Sequence, residues 1–406
     1  MKVIDKYNVC LLNEGFKKDC FVPASSNMNE SYTWNPFGEP GVNTDLDLDF
    51  LKSEIGQRFP FYDIRFDKKT AAFFVRIDEN LLEDNFESLR ISLSKKGYIP
   101  MIRDEKGEQI IYVIKKPKTK KRPIWVNFIL LIATIFTTTL AGSIQWVSIN
   151  YGDWTQHFDQ VINLVYLSKG LVFFSIPLML ILGIHEMGHY FTSKKHNLDT
   201  SLPFFIPMPP PFVLGTFGAL ISTREPIPDR KSLLDVGVSG PICGFLVAIP
   251  VCIIGLFFMQ ENPLQPVADF EQIRYTYPLL LQGLNSFFDI SKDSIMHPTL
   301  FAGWVGLFLT AVNLIPVGQL DGGHVARALL KEKNKYATWA VIIVVIALGL
   351  FSTFWLMFAF IILFLIGTKH QPPLNEYSSL DINRIFLGIV AFIIFILCFA
   401  PIPFSA

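Results

Sequence analysis

The stretch Lys115–Gly152, KKPKTKKRPIWVNFILLIATIFTTTLAGSIQWVSINYG, changes character after Arg122 and decides the fold. Six of its first eight residues are basic, and residues 123–152 contain no Asp, Glu, Lys or Arg. A helix needs about 20 apolar residues to cross a bilayer, and a basic cluster before such a helix anchors it at the membrane surface. We therefore predict a juxtamembrane linker at 115–122, a first transmembrane helix after it, and a cytoplasmic N-terminal module.

The charge distribution divides the whole chain at the same place. The 406 residues carry 35 basic and 35 acidic side chains, so the formal net charge is zero. Residues 1–122 hold 21 Lys and Arg and 19 Asp and Glu, which leaves 30 charges for the other 284 residues. We predict a soluble module at 1–122 and a membrane domain at 123–406. No basic surplus points to a nucleic-acid partner.

The N-terminal module reads as a small α+β unit. Residues 1–60 are expected to be partly irregular, whereas 61–114 show a βαββ pattern. Its predicted elements are a strand at Thr70–Ile77, a helix at Glu79–Lys96, and a hairpin of Tyr98–Arg103 with Gln109–Ile114. The five cysteines show no paired spacing, so no disulfide framework is expected. The first thirty residues lack an apolar signal-peptide core.

The membrane domain contains a series of charge-free runs that predict transmembrane helices. A mainly α, polytopic fold with six to seven transmembrane helices follows from this pattern. The run 336–368 is longer than one crossing requires, and either one tilted helix or a hairpin turning near Gly349 would account for it. The runs are 123–152, 170–184, 236–259, 300–320, 336–368 and 385–406.

Two further apolar segments have special features. Residues 203–222 contain five prolines, which no straight helix accommodates, and we interpret this segment as a re-entrant or membrane-embedded loop beside a cavity. Gly240-x-x-x-Gly244 matches a motif for close helix approach, which we assign to packing between helices of this chain.

The most informative motif is His185-Glu186-Met187-Gly188-His189, which lies at the end of an apolar run. Two His side chains at i and i+4 share one helix face and can bind one ion, and the adjacent Glu can accept a proton from an attacking water. Ionisable side chains inside apolar helices are costly and usually functional. This spacing therefore favours a zinc site with Glu186 as general base.

A catalytic zinc ion usually has three protein ligands, so a third is required. Asp321 ends the fourth apolar run, where Pro316 and nearby glycines interrupt the helix. Its carboxylate can turn toward the His pair, since both motifs are predicted at the cytoplasmic ends of their spans. His324 is the alternative third ligand, and a water-facing Asp at a helix end is the alternative role for Asp321.

Together the motifs resemble the site-2 protease family of intramembrane zinc metalloproteases. His185-Glu186-x-x-His189 is followed by Asn313-x-x-Pro316-x-x-x-x-Asp321-Gly322, and further similarity lies in GTFGA (215–219), EPIPDRK (225–231) and HQPPL (370–374). The resemblance covers roughly residues 120–406 and is closest to the archaeal, bacterial and plastid branch with a soluble N-terminal extension. The sequence contains no recognisable PDZ-like or CBS-like insertion.

The resemblance implies a site, a substrate and a location. It implies one Zn²⁺ per chain bound by His185, His189 and Asp321, and Glu186 as the catalytic base. The substrate would be a transmembrane protein, cut in or near its membrane helix in the cell membrane. Gly215, Phe217 and Gly218 would then bind unwound substrate as an added strand, and Asn313 would hydrogen-bond substrate backbone or the developing oxyanion.

Three other functions remain open at this stage. A multi-span ion or solute transporter with a structural or transported metal would also have several apolar helices, although no internal repeat supports it. A catalytically inactive relative would keep the fold but not the intact motif residues. A different type of HExxH protease would follow if Asp321 were not a ligand.

Overall fold

The computed structural model describes residues 46–78, 80–105, 107–117, 122–261, 263–264, 274–290, 294–368 and 370–405. The chain forms two compact units. The first comprises the N-terminal residues to Lys121 with two short later segments, 226–229 and 371–378, and the second comprises the rest. Residues 1–45 of the predicted irregular region and 118–121 of the predicted linker lie outside the described residues.

The described residues of the first unit form a four-stranded antiparallel sheet and two helices. Its elements are α1 (Leu48–Gly56), β1 (Phe61–Phe66), β2 (Thr70–Val75), α2 (Leu82–Lys95), β3 (Tyr98–Glu105) and β4 (Glu108–Lys115). The strand order is β1-β2-β4-β3. The structure thus adds α1 and β1 to the predicted βαββ order, and α1 lies where the sequence predicts irregular chain. Buried Leu51 and Ile55 of α1 join the core with Phe73, Leu89 and Ile111.

Of the two later segments, 371–378 is bonded to the outer edge of β3, and 226–229 is bonded to 371–378. An isolated parallel bridge joins Ile102 to Asn375, and the Ile102 N–H donates to the Leu374 carbonyl at 2.9 Å. A second parallel bridge joins Asn375 to Asp229. Because β3 ends the four-stranded sheet, these segments cover backbone groups that would otherwise be exposed at a sheet edge.

The second unit is an assembly of helices with two small β-ribbons. Its helices are α3 (Ile124–Tyr151), α4 (Phe158–Val161), α5 (Leu164–Gly170), α6 (Ile176–Lys195), α7 (Arg230–Glu261), α8 (Leu279–Asn285), α9 (Pro298–Asn313), α10 (Asp321–Leu330), α11 (Asn334–Leu348), α12 (Thr353–Ile361) and α13 (Ile382–Cys398). Its strands are β5 (Phe204–Pro207), β6 (Thr216–Leu220), β7 (Arg274–Tyr275) and β8 (Phe404–Ser405).

Three helices of the described chain are long and apolar enough to cross a membrane. They are Ile124–Tyr151, Leu164–Lys195, in which a π-helical turn joins α5 to α6, and Arg230–Glu261. Three shorter apolar helices are Pro298–Asn313, Thr353–Phe364 and Ile382–Cys398. Most residues of the first of these, α9, are buried, including Trp304. The mainly helical class is therefore confirmed, while the count of long helices is three.

The long apolar run 336–368 and the proline-rich segment 203–222 both have defined structures. The run 336–368 forms two helices, α11 and α12, whose side chains Ile342, Val345, Trp355 and Phe358 pack in one cluster across the break after Leu348. The proline-rich segment forms the antiparallel hairpin β5–β6. Asn127 of α3 donates through Nδ2 to the carbonyls of Leu202 and Pro203, at 2.8 and 2.9 Å, and so fixes this hairpin on α3.

Candidate metal centre

The HExxH motif lies on the buried face of α6. His185, Glu186 and His189 are only 6–7% exposed, and they continue a face formed by Leu178, Ile181 and Leu182. The helix has no charged residue before Glu186, and its two lysines stand in the last turn. Three ionisable side chains are therefore held away from solvent at one place, which requires that they interact with each other or with a ligand.

Asp321 reaches this face because the chain turns sharply after α9. The helix ends at Asn313, the non-helical residues 314–320 reverse the chain, and Asp321 begins α10. Glycine is required next to it, because a Cβ at Gly322 would lie 2.0 Å from the Leu314 carbonyl oxygen and one at Gly323 would lie 2.4 Å from the Gly318 oxygen. The predicted break at Pro316 and the glycines is therefore what brings the carboxylate to α6.

The three donor atoms form a nearly equilateral triangle. Nε2 of His189 lies 3.2 Å from Nε2 of His185 and 3.2 Å from Oδ2 of Asp321, and the third side, His185 to Asp321, measures 3.4 Å. Tetrahedral zinc with bonds of about 2.0–2.1 Å separates its ligand atoms by about 3.3 Å. Among the described residues, these three form the His, Cys, Asp or Glu group that can hold one ion.

The hydrogen bonding of His189 suits a metal ligand. Its Nδ1 lies 2.8 Å from the Val236 carbonyl oxygen of α7, so that nitrogen carries the proton and Nε2 keeps its lone pair. Two imidazoles and a carboxylate that converge on one point with lone pairs repel each other unless a cation lies between them. The residues present therefore fit a zinc ion.

The helix α7 provides the space for the two imidazoles. A Cβ at Gly240 would lie 2.1 Å from Nε2 of His189, and a Cβ at Gly244 would lie 3.1 Å from Nδ1 of His185. Gly237 lies on the same face of α7. A Cβ added there would lie 2.9 Å from the Cβ of His324 in α10. The Gly240-x-x-x-Gly244 motif therefore does bring helices close together, and the groups that it accommodates are the candidate metal ligands.

The hairpin reaches the same place from another direction. The backbone N–H of Ile221, directly after β6, lies near the Glu186 carboxylate. Phe217 is 69% exposed, and Gly218 has a φ of +93°, outside the usual range of other residues. Gly215 is in contact with α3: its own virtual Cβ would lie 2.4 Å from the Thr137 carbonyl oxygen. The structure thus gives Gly215 a packing role that the sequence does not indicate.

The remaining predicted residues lie at different distances from the centre. The Asn313 amide nitrogen lies 3.5 Å from Nε2 of His185, at the limit of a hydrogen bond. His324, the alternative ligand, instead has its Nδ1 2.6 Å from Nε2 of His370. Val236 is the residue that the sequence did not reveal, since a backbone carbonyl has no signature in a side-chain pattern.

Fold and site together bring an HExxH motif and a converging carboxylate, a group that could hold a metal ion, into an assembly of apolar helices. Residues 173–354, which include every candidate ligand, match the model of Peptidase family M50. This match confirms the resemblance to the site-2 protease family. No solved structure matches the chain.

Curated plant proteins are similar over the same region. The chain is 28% identical over 249 residues to "Probable zinc metalloprotease EGY2, chloroplastic" of Arabidopsis thaliana, covering 60% of this chain and 44% of the relative. It is 30% identical to the Arabidopsis EGY1 protein of the same description, covering 55% and 41%. For the EGY2 protein of Oryza sativa subsp. indica the identity is 26%, covering 75% and 55%. The chain thus spans about half the length of these relatives.

Proposed function

We propose that this protein is an intramembrane zinc endopeptidase that hydrolyses peptide bonds in or near the transmembrane segments of membrane proteins. The observation that carries the proposal is the triangle of His185, His189 and Asp321 donor atoms, with Glu186 on the same buried helix face. A transported ion would need ligands but no adjacent base, whereas hydrolysis needs both.

Each residue of the centre has a distinct role in this proposal. His185, His189 and Asp321 hold one zinc ion, which when bound would acidify a water molecule and polarise the scissile carbonyl. Glu186 accepts the proton of the attacking water and passes it to the leaving amine. The Ile221 N–H, which lies near the Glu186 carboxylate, would help to position that carboxylate. Asn313, whose amide nitrogen lies 3.5 Å from Nε2 of His185, would donate to the oxyanion or to substrate backbone.

The β6 strand supplies a binding edge for an extended peptide. Among the described residues β6 pairs with β5 on one side, which leaves its other edge for an added strand. Phe217 and Leu220, 69 and 44% exposed, provide apolar contacts for a membrane-derived segment. Gly218 has no side chain to obstruct the approaching backbone. Since Ile221 follows β6 directly and lies near Glu186, the added peptide would be led toward Glu186.

We further propose six membrane-embedded helices, in the cell membrane, with the first unit cytoplasmic. The three long helices and the three shorter apolar ones support this count. The cluster of basic residues at 115–122 supports the cytoplasmic side for the N-terminal unit. The relatives named above are described as chloroplastic, which applies to those proteins.

The test combines metal content with cleavage in the full-length protein. We expect one zinc per chain in the wild type, and loss of it in Asp321→Ala. Glu186→Gln should keep the zinc but stop cleavage of a tagged single-span membrane protein that the wild type cuts. Cleavage by Glu186→Gln at the wild-type rate, or a wild type without zinc, would refute the proposal.

The binding edge has its own test with a matched control. Phe217→Ala should raise KM for the single-span substrate without changing zinc content, because the ring is exposed and supports no core contact. Phe191→Ala removes an equally exposed ring, 63%, from α6 and should leave KM unchanged. Equal effects of the two variants would contradict strand addition at β6.

A further inference from the structure

The helix α10, which begins with Asp321, is held by two side chains from other parts of the chain. Nε2 of His370 lies 2.6 Å from Nδ1 of His324, in the first turn of the helix. Arg230 donates to the Ala328 carbonyl from Nε at 2.9 Å and from Nη2 at 2.7 Å. With a rise of 1.5 Å per residue, these contacts lie about 4.5 and about 10 Å from Asp321 along the axis.

Both of these side chains stand next to a segment of the first unit. Residues 226–229 belong to that unit, and Arg230 follows them directly. Residues 371–378 also belong to it, and His370 precedes them directly. One peptide bond therefore separates each residue that holds α10 from a segment that packs in the N-terminal unit.

Within the first unit these two segments are bonded to each other. The Leu374 N–H donates to the Ile227 carbonyl at 2.9 Å, and the Asn375 N–H donates to the Pro228 carbonyl at 2.8 Å. Two backbone bonds in register make them a short paired ribbon, so that a displacement of one displaces the other.

The ribbon is also bonded to the sheet. The Leu374 carbonyl accepts from the Ile102 N–H at 2.9 Å and from Arg103 Nη1 at 3.1 Å. Ile102 is fully buried in the core of the unit, so the edge of β3 is a fixed point for the ribbon. From the ribbon, the peptide bonds 229–230 and 370–371 lead covalently to the two side chains that hold α10.

We propose that Arg230 and His370 are positioning residues for Asp321, and that the ribbon of 226–229 and 371–378 makes the metal affinity of the centre depend on the N-terminal sheet. This inference rests on the proposed zinc site. Metal–ligand distances tolerate about 0.2 Å, so a small shift of α10 changes the third ligand bond. A partner or modification that alters the β3 edge would then regulate the protease.

The first test measures the metal directly in full-length, detergent-solubilised protein. His370→Ala should weaken zinc affinity, measured by chelator competition, about 10- to 100-fold, as for other residues that orient metal ligands. It should also change the visible spectrum of the cobalt-substituted protein. His370→Gln, whose Nε2 can replace that of the imidazole, should restore most of both. Arg230→Lys, which keeps one donor, should be intermediate.

Two outcomes separate this inference from the proposed function. A wild type that binds no zinc refutes the zinc site itself. A wild type with one zinc, together with a His370→Ala protein of unchanged affinity and cobalt spectrum, refutes only the positioning roles.

The second test perturbs the ribbon and observes α10. Arg103→Ala removes a donor to the Leu374 carbonyl, and hydrogen exchange of residues 321–330 should become faster while that of α3 stays constant. Arg65→Ala is the control, because Arg65 lies on β1, at the opposite edge of the sheet, against Phe74. Exchange that changes only within 371–378, or equally in both variants, would overturn the coupling. Since both arginines are at least partly exposed, these variants are expected to fold.

Discussion

Gly240→Ala is the sharpest single test of how the metal centre is built. The added methyl carbon would lie 2.1 Å from Nε2 of His189, 2.4 Å from its Cδ2 and 2.6 Å from its Cε1. Contacts below 3.0 Å are essentially never found for a Cβ, so α7 and the imidazole must separate by about 0.9 Å. The added methyl group would contact Nε2, the candidate ligand atom. Because the Val236 carbonyl holds the other side of the ring, the imidazole has little freedom to move away from the methyl group.

Gly240→Ala should strongly reduce zinc binding and cleavage and should change the stability of the helix only slightly. A displacement of about 0.9 Å exceeds the tolerance of about 0.2 Å for metal bonds, and a misplacement of about 1 Å costs about 100-fold in rate. Replacing Gly by Ala inside a helix is otherwise favourable by about 1 kcal/mol. Three measurements on the purified full-length protein test these effects: zinc content by elemental analysis, the rate of cleavage, and thermal unfolding.

Two further glycines serve as graded controls. Gly244→Ala brings a methyl to 3.1 Å from Nδ1 of His185 and should weaken zinc binding less than Gly240→Ala. Gly183→Ala, on α6, meets nothing nearer than Phe205 Cζ at 4.0 Å and should retain wild-type zinc and activity. Wild-type zinc binding and cleavage by Gly240→Ala would refute the view that α7 shapes the ligand pocket.

Three other outcomes are expected. Gly215→Ala, at a φ of +66° and against the Thr137 carbonyl, should loosen the hairpin and speed hydrogen exchange at 204–220, with zinc content unchanged. The Ser92 hydroxyl, at 2.6 Å, is the main cause of the lowered pKa of Glu54 in the first unit. That carboxylate therefore stabilises the unit above its ordinary pKa of 4.5, and the contribution is lost as pH falls through the lower folded value. Glu54→Gln should flatten this part of the acid-unfolding curve measured by circular dichroism, and an unchanged curve would contradict it. A zinc chelator should stop cleavage without reducing helix content, and cleavage that persists in zinc-free protein would exclude metal catalysis.

Local sequence pattern accounts for part of the candidate centre. The i, i+4 spacing of His185 and His189 sets a common helix face, and the break around Pro316 places Asp321 at a helix start. These are local features of the chain, so they can be read without a structure. Their convergence within 3.2–3.4 Å depends on how α6 and α10 both pack against α7, which no local pattern specifies.

Other features escape sequence reading for physical reasons. A GxxxG motif predicts that another helix approaches closely, but it does not say which one. The sequence therefore does not predict that Gly240 makes room for His189. The helix α1 buries only Leu51 and Ile55, which is too weak a periodic signal to recognise. The ribbon of 226–229 and 371–378 is joined by backbone bonds between residues over 140 positions apart, and backbone pairing leaves no side-chain pattern.

Ile221, the residue directly after β6, lies near Glu186, so the register of a peptide added to β6 would decide which of its bonds reaches this base. A strand advances about 3.3 Å per residue, so each shift of an added peptide by one residue along β6 would bring the next peptide bond to the base. A slip by one residue turns its side chains to the opposite face, whereas a slip by two restores them. We expect cleavage to be chosen by where a substrate helix first unwinds, and to move in two-residue steps when that point is shifted by an inserted proline.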